Sequence, residues 1–132
     1  MRARKAIIVL TLILLIQLPV FAFKMGRHHH SDYSKPVGMD LSSLELEDGI
    51  YTGSADGFRP DLTVEVTVSG GEVTAIEIVD HNEIGRQYWQ RPMDLIPAVI
   101  IEEEQTNVDA VSGATATSKA IMAAVENALN NS

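Results

Sequence analysis

The segment Asp109-Ala110-Val111-Ser112-Gly113-Ala114-Thr115-Ala116-Thr117-Ser118 holds the residue types best suited to chemistry in this chain. It places hydroxyls and small residues at the start of an apolar helical period. Unpaired N–H groups and the positive end of the dipole make a helix start favourable for a phosphate. Gly113 and Ala114 let a ligand come close to the backbone. The glycine spacing is not that of a Walker loop, and no Lys precedes a hydroxyl residue. The residues also read as a plain helix start with spare hydroxyls, since Thr115, Thr117 and Ser118 are all possible N-caps.

The elements that position this segment follow from periodicity. Ile121, Ala124, Val125, Ala128 and Leu129 form a stripe at helical spacing. Leu62, Val64, Val66 and Val68 alternate with polar residues, which predicts a half-buried strand. Gly70-Gly71 is a hairpin turn, and Val73 to Val79 returns as the partner strand with Ile76 and Ile78 on one face. Asp48 to Gly53 is a turn leading into a first strand. Gln87 to Asp94 stays open between loop and short helix. Pro97 fits a helix's first turn, so a helix is predicted from about Leu95 to Gln105 with Ile96, Val99 and Ile100 inward. Glu102, Glu103 and Glu104 then oppose the helix dipole. The expected fold is α+β, a small antiparallel sheet with helices packed on one face.

Composition narrows the function. The 132 residues hold 10 Lys+Arg against 18 Asp+Glu and no cysteine. The negative balance speaks against nucleic acid as a partner. The lack of cysteine removes disulfides, thiolate metal sites and a cysteine nucleophile. Redox chemistry would need a bound organic cofactor or a His/carboxylate metal site.

Arg2, Arg4 and Lys5 precede an uncharged run from Ala6 to Phe23. Residues 1–23 therefore read as a signal peptide or an N-terminal membrane anchor. Val20 and Ala22 stand where a signal peptidase reads small residues. Either way the rest of the chain is expected outside the cytoplasm, secreted or anchored by residues 6–23. Cleavage after Ala22 leaves the exported part at net −11. Residues 24–44 read as a linker, with Gly, Pro, Ser and no hydrophobic period. His28, His29 and His30 lie in it, as a weak metal site or a solvated stretch. The domain is expected over 45–132.

Asp109-x-x-Ser112-Gly113-Ala114-Thr115 resembles the flavinylation motif of the FMN-binding domain family. That family includes subunits of the sodium-translocating NADH:quinone reductase and of Rnf complexes, and small exported flavoproteins. Asp48-Gly49-Ile50-Tyr51-Thr52-Gly53 is similar to the family's first strand. Gly71 to Ile76 followed by Asp80-His81-Asn82-Glu83 is similar to its hairpin and next loop. Gln105, Val108-Asp109 and Thr117-Ser118 extend the likeness.

The resemblance implies FMN as cofactor, joined through a phosphodiester to the Thr115 hydroxyl. A separate FAD:protein FMN transferase, needing a divalent metal, would make the bond. The sequence agrees with an external catalyst, because no base stands beside Thr115. Asp109 would belong to the modification signal or be an ordinary loop residue. Ser112, Gly113, Ala114, Thr117 and Ser118 would complete the attachment site. Glu83, Ile84 and Gly85 would contact the flavin ring, though Glu83-Ile84-Gly85 stands where relatives often continue with Thr-Pro-Gly. Tyr51 is the first candidate for a wall of the flavin site, with Tyr88, Trp89 and Leu95 behind it; each is also a candidate for the core. The net charge predicts a lowered flavin potential.

The expected role is an exported electron carrier between a membrane redox donor and a downstream acceptor. Two alternatives stand: the electron-entry partner of an extracytoplasmic flavin-dependent reductase, and a non-covalent FMN-binding module without redox role. No acid–base pair marks a free-standing enzyme.

Overall fold

The computed structural model describes residues 33–131. Residues 1–23 and the histidines at 28–30 lie outside that range. Strand β1 (Gly49–Ala55), strand β2 (Leu62–Ser69) and strand β3 (Glu72–Asp80) form one antiparallel sheet in the order β1-β2-β3. Helix α1 (Arg86–Glu103) and helix α2 (Thr115–Asn130) follow and pack on it. The α+β class read from periodicity is the observed one.

β2 is the centre because its apolar face is complete. Leu62, Val64 and Val66 are fully buried and Val68 nearly so, while Thr63, Glu65 and Thr67 turn to the other face. Each such side chain contributes about 1.5–3 kcal/mol through burial. The β2–β3 turn is the glycine pair, with φ of 64° at Gly70 and 77° at Gly71. Positive φ at both central residues is what a two-residue hairpin demands. The Asp48 carboxylate accepts from the Gly71 N–H at 2.9 Å and pins the turn. Two bulges interrupt the β2–β3 register, so Val73, Ile76 and Ile78 all reach the packed face despite odd spacing.

α2 lies directly on β1. A Cβ placed on Gly53 would stand 2.2 Å from the Ala124 carbonyl oxygen and 2.3 Å from the Ala128 nitrogen. Only glycine on the strand and alanine on the helix permit that approach. Ile121, Ala124, Val125, Ala128 and Leu129 are buried, as the stripe predicts, and Ala120 is buried beside them.

α1 differs from expectation. It begins at Arg86, nine residues before Leu95, and carries both Pro92 and Pro97 inside. The prolines cost two backbone hydrogen bonds. Both are buried, as are Ile96 and Ile100, so apolar burial offsets that loss.

Residues 33–44, expected to belong to a linker, lie against the domain. The Val37 and Gly38 N–H groups donate to the two carboxylate oxygens of buried Glu126, at 2.9 and 2.7 Å. Thr106 also donates its hydroxyl to Glu126, while accepting from the Met39 N–H at 2.7 Å. Leu41, in a short 3-10 turn, joins the core. Polar bonds made by backbone groups hold this segment, so no hydrophobic period announces it.

Candidate functional site: a cleft at the start of the second helix

The segment between the helices ends in a sharp turn at Gly113, whose φ is 81°. An added Cβ there would meet nothing within 4 Å, so conformation rather than space requires the glycine. α2 then starts at Thr115 with Ala114 as its N-cap residue and no side-chain cap. The N–H groups of the first turn therefore lack an intrahelical or side-chain acceptor.

The hydroxyls divide into two kinds. Ser118 is fully buried; its hydroxyl donates to the Ala114 carbonyl and accepts from the Val111 N–H. Thr117 is buried, and its hydroxyl donates to Glu83 at 2.6 Å. These two are not caps and are committed to the fold. Thr115 and Ser112 are exposed. Of that pair, Thr115 lines a cleft at the start of α2, while Ser112 lines an adjoining recess with Gln87, Tyr88 and Arg91.

The cleft has a volume of about 450 Å³, within the range of small-molecule sites. Its walls are Phe58, Ile84, Gly85 and Tyr88 opposite Gly113 to Thr117. Phe58 is 66% exposed, Tyr88 57% and Ile84 50%. Three large apolar side chains left open around one hydroxyl form a surface suited to a flat apolar ring.

Each wall has a support. Gly85 takes a φ of 76° at the start of α1. A Cβ on it would stand 2.6 Å from the Tyr88 ring, so the glycine lets that ring lie over the turn. Phe58 is fixed by Glu83, whose carboxylate accepts from the Phe58 N–H at 3.0 Å and the Arg59 N–H at 2.8 Å. Gly57 makes room for that carboxylate, since a Cβ would lie 2.5 Å from Glu83 Oε1.

Several expected residues stand elsewhere. Glu83 does not line the cleft; it is buried and ties the Phe58 turn to α2, because its carboxylate is used up on two N–H groups and Thr117. Tyr51 packs against the core and donates its hydroxyl to the Glu47 carbonyl. Trp89 packs on His81 with ring centroids 4.6 Å apart. Leu95 is exposed but lines no part of the cleft. Asp109 is exposed and lines neither recess. Phe58 was not anticipated; its signal was a lone aromatic in the polar turn Asp56 to Asp61.

A short helix-on-sheet domain with an uncapped helix start, an exposed threonine and an apolar wall is built to hold a cofactor having both a phosphate and a ring. The chain belongs to the FMN-binding domain family, whose sequence pattern matches residues 57–130. Its cofactor is FMN.

The chain is 35% identical over 103 residues to an uncharacterised protein of Treponema pallidum (strain Nichols), covering 78% of this chain and 28% of that one. It is 31% identical over 87 residues to the NADH:acrylate oxidoreductase of Vibrio harveyi, covering 66% of this chain and 9% of that one. It is 33% identical over 82 residues to the urocanate reductase of Eggerthella lenta, covering 62% and 13%. The likeness thus spans between about a tenth and a quarter of these relatives.

The residues present fit FMN. The first-turn N–H groups of α2 and the Thr115 hydroxyl would hold its phosphate, and Phe58, Ile84 and Tyr88 its ring.

Proposed function

We propose that this chain is an exported electron carrier with FMN joined covalently to Thr115. The observation that carries the reading is the division of hydroxyls. Thr117 and Ser118 are buried and bonded, while Thr115 presents its hydroxyl in the apolar-walled cleft. FMN, when bound, supplies reversible acceptance and release of electrons. The protein supplies attachment, orientation and partial exclusion of water.

Among the described residues no carboxylate or imidazole is hydrogen-bonded to the Thr115 hydroxyl, which supports attachment by a separate FAD:protein FMN transferase. In that transfer the Thr115 oxygen would bond to the FMN phosphorus of FAD, the pyrophosphate bond would break with AMP as leaving group, and the hydroxyl proton would pass to a base of the transferase. The α2 N-terminus lowers the cost of the phosphodiester charge. Tyr88 and Phe58 would cover the ring, and Ile84 its edge.

Residues 1–23 would carry the domain out of the cytoplasm, as a cleaved signal or a lasting anchor. Among the described residues no helix is long and apolar enough to cross a membrane. A membrane redox donor and a downstream acceptor would be its partners. Two of the three named relatives, an NADH:acrylate oxidoreductase and a urocanate reductase, are far longer than this chain, which keeps open an electron-entry role toward such an enzyme.

The test is flavin fluorescence of the denatured chain in a gel after co-production with an FMN transferase. The proposal expects a fluorescent band that is lost with Thr115→Val. Colour that washes away on denaturation favours the non-covalent binding module instead.

A further inference from the structure

Among the described residues there are five basic side chains against seventeen acidic ones. Four of the five lie close in the chain to residues that line the cleft or its adjoining recess. Arg59 follows Phe58 in the turn clamped by Glu83. Arg86 follows Gly85 and opens α1. Arg91 lines the recess that shares Tyr88, Gly113 and Ala114 with the cleft. Lys119 lies one helical turn beyond Thr115, on the same face of α2. None of the four forms an ion pair with another described residue. Arg86 instead donates to the Gln90 amide oxygen at 2.6 Å. The fifth basic residue, Lys35, sits over the Tyr33 ring.

Helix stability does not account for this placement. α1 has no acid in its first turn and no base in its last. It carries Arg86 at its positive end and Glu102 and Glu103 at its negative end. Each misplaced charge costs a few tenths of a kcal/mol. The eighteen residues of α1 span about 27 Å, which sets Arg86 well apart from Glu102 and Glu103. The outer sheet face adds acid: Glu65 and Glu77 stand directly opposite each other in the β2–β3 register. Asp56, Asp61 and Glu83 stand in the same segments, so the basic residues offset, around the cleft, part of the negative field that composition suggests.

We infer that Arg59, Arg86, Arg91 and Lys119 form a positively charged collar that docks a redox protein with a carboxylate-rich face over the flavin cleft. The inference rests on the FMN reading for what passes between the partners, not for the docking itself. A net-negative protein repels acidic partners at a distance in every orientation but one. The collar and the acidic far side together turn the molecule, so that encounter happens at the cleft. The exposed apolar side chains of Phe58, Ile84 and Tyr88 would form the dry centre inside this charged rim, the usual anatomy of an interface. A protein face is favoured over an anionic bilayer because a flat anionic surface would also meet exposed Asp56, Asp61 and Asp94 beside the collar, whereas a partner's carboxylate patch can be confined to it.

The experiment uses the full chain in mild detergent, labelled with ¹⁵N. The probes are a basic cytochrome c and the same cytochrome with its lysines succinylated. The account expects succinylated cytochrome to shift the amides of 57–59, 85–91 and 113–119. Binding should weaken roughly fivefold or more between about 20 mM and about 200 mM salt. Arg59→Gln, Arg86→Gln, Arg91→Gln and Lys119→Gln combined should abolish it, and Lys35→Gln should not. Should the combined variant fail to fold, the salt dependence and the shift map of the unaltered chain decide. No binding of the succinylated probe, or shifts only on the outer sheet face, overturns the inference. So do shifts at the cleft produced by anionic phosphatidylglycerol vesicles and not by the acidic protein. Binding is read with or without flavin, so loss of the FMN reading would show separately, as an unloaded chain.

Discussion

Thr117 and Glu83, thirty-four residues apart, share a buried hydrogen bond of 2.6 Å that joins the start of α2 to the loop before α1. The same carboxylate accepts from two consecutive N–H groups of the Phe58 turn. One acid thus fixes three segments around the cleft without lining it. Glu83→Ala should cost about 3 kcal/mol, since one buried hydroxyl and two partly buried N–H groups lose their acceptor. Glu83→Gln should cost less, because the amide keeps one accepting oxygen. Urea midpoints at neutral pH check both. Thr117→Val should destabilise by about 1–2 kcal/mol while leaving attachment at Thr115 intact, which separates a holding role from a modified one.

Phe58→Ala should change stability by no more than about 0.5 kcal/mol, because the ring is largely exposed in the protein without ligand. Its effect belongs to the flavin. Iodide quenching of flavin fluorescence should rise in Phe58→Ala and rise again when Tyr88→Ala is added. Unchanged quenching in both would mean that the ring lies elsewhere.

Gly53→Ala tests the helix–sheet contact. Backbone, not a flexible side chain, occupies the space a Cβ would take. The substitution should cost about 3 kcal/mol and lower the thermal midpoint by more than ten degrees, on the order expected for overpacking in a domain this small. Thermal unfolding followed by circular dichroism measures it.

Asp48 gives a pH dependence with a defined sign. The Gly71 and Gly70 N–H groups hold its carboxyl below the usual aspartate range. A depressed folded value means that its stabilisation is fully present above the unfolded value, about 3.9, and disappears as pH falls through the folded value. The stability gap between the unaltered chain and Asp48→Asn should therefore be widest near neutral pH and should close in acid. The group is fully exposed, so added salt should narrow the gap at neutral pH.

The hairpin and α2 were legible because their signals are local. Alternation ran unbroken from Leu62 to Ser69, a glycine pair closed the turn, and the apolar stripe of α2 kept its spacing. The early turns of α1 were not, because Pro92 and Pro97 argue against a helix interior unless their burial is known. Position at a helix start left Thr115, Thr117 and Ser118 alike, and only the resemblance to the flavinylation motif singled out Thr115. In the structure, tertiary partners tell them apart, Glu83 for Thr117 and the preceding turn for Ser118. Tyr51 stayed open between wall and core because an aromatic on a strand has no local mark for either, and the structure packs it against the core. Phe58 and the strap held by Glu126 and Thr106 depend on contacts between residues far apart in the chain, which periodicity does not carry.

Covalent FMN at Thr115 is the centre of the account, and intact mass tests it most directly. The chain would be produced with an active FMN transferase and weighed beside Thr115→Val and Ser112→Ala. The account predicts a gain equal to FMN less one water in the unaltered chain and in Ser112→Ala. It predicts none in Thr115→Val, and peptide fragmentation should place the added mass on Thr115. A full gain in Thr115→Val, or no gain in the unaltered chain while a control substrate is modified, would contradict it.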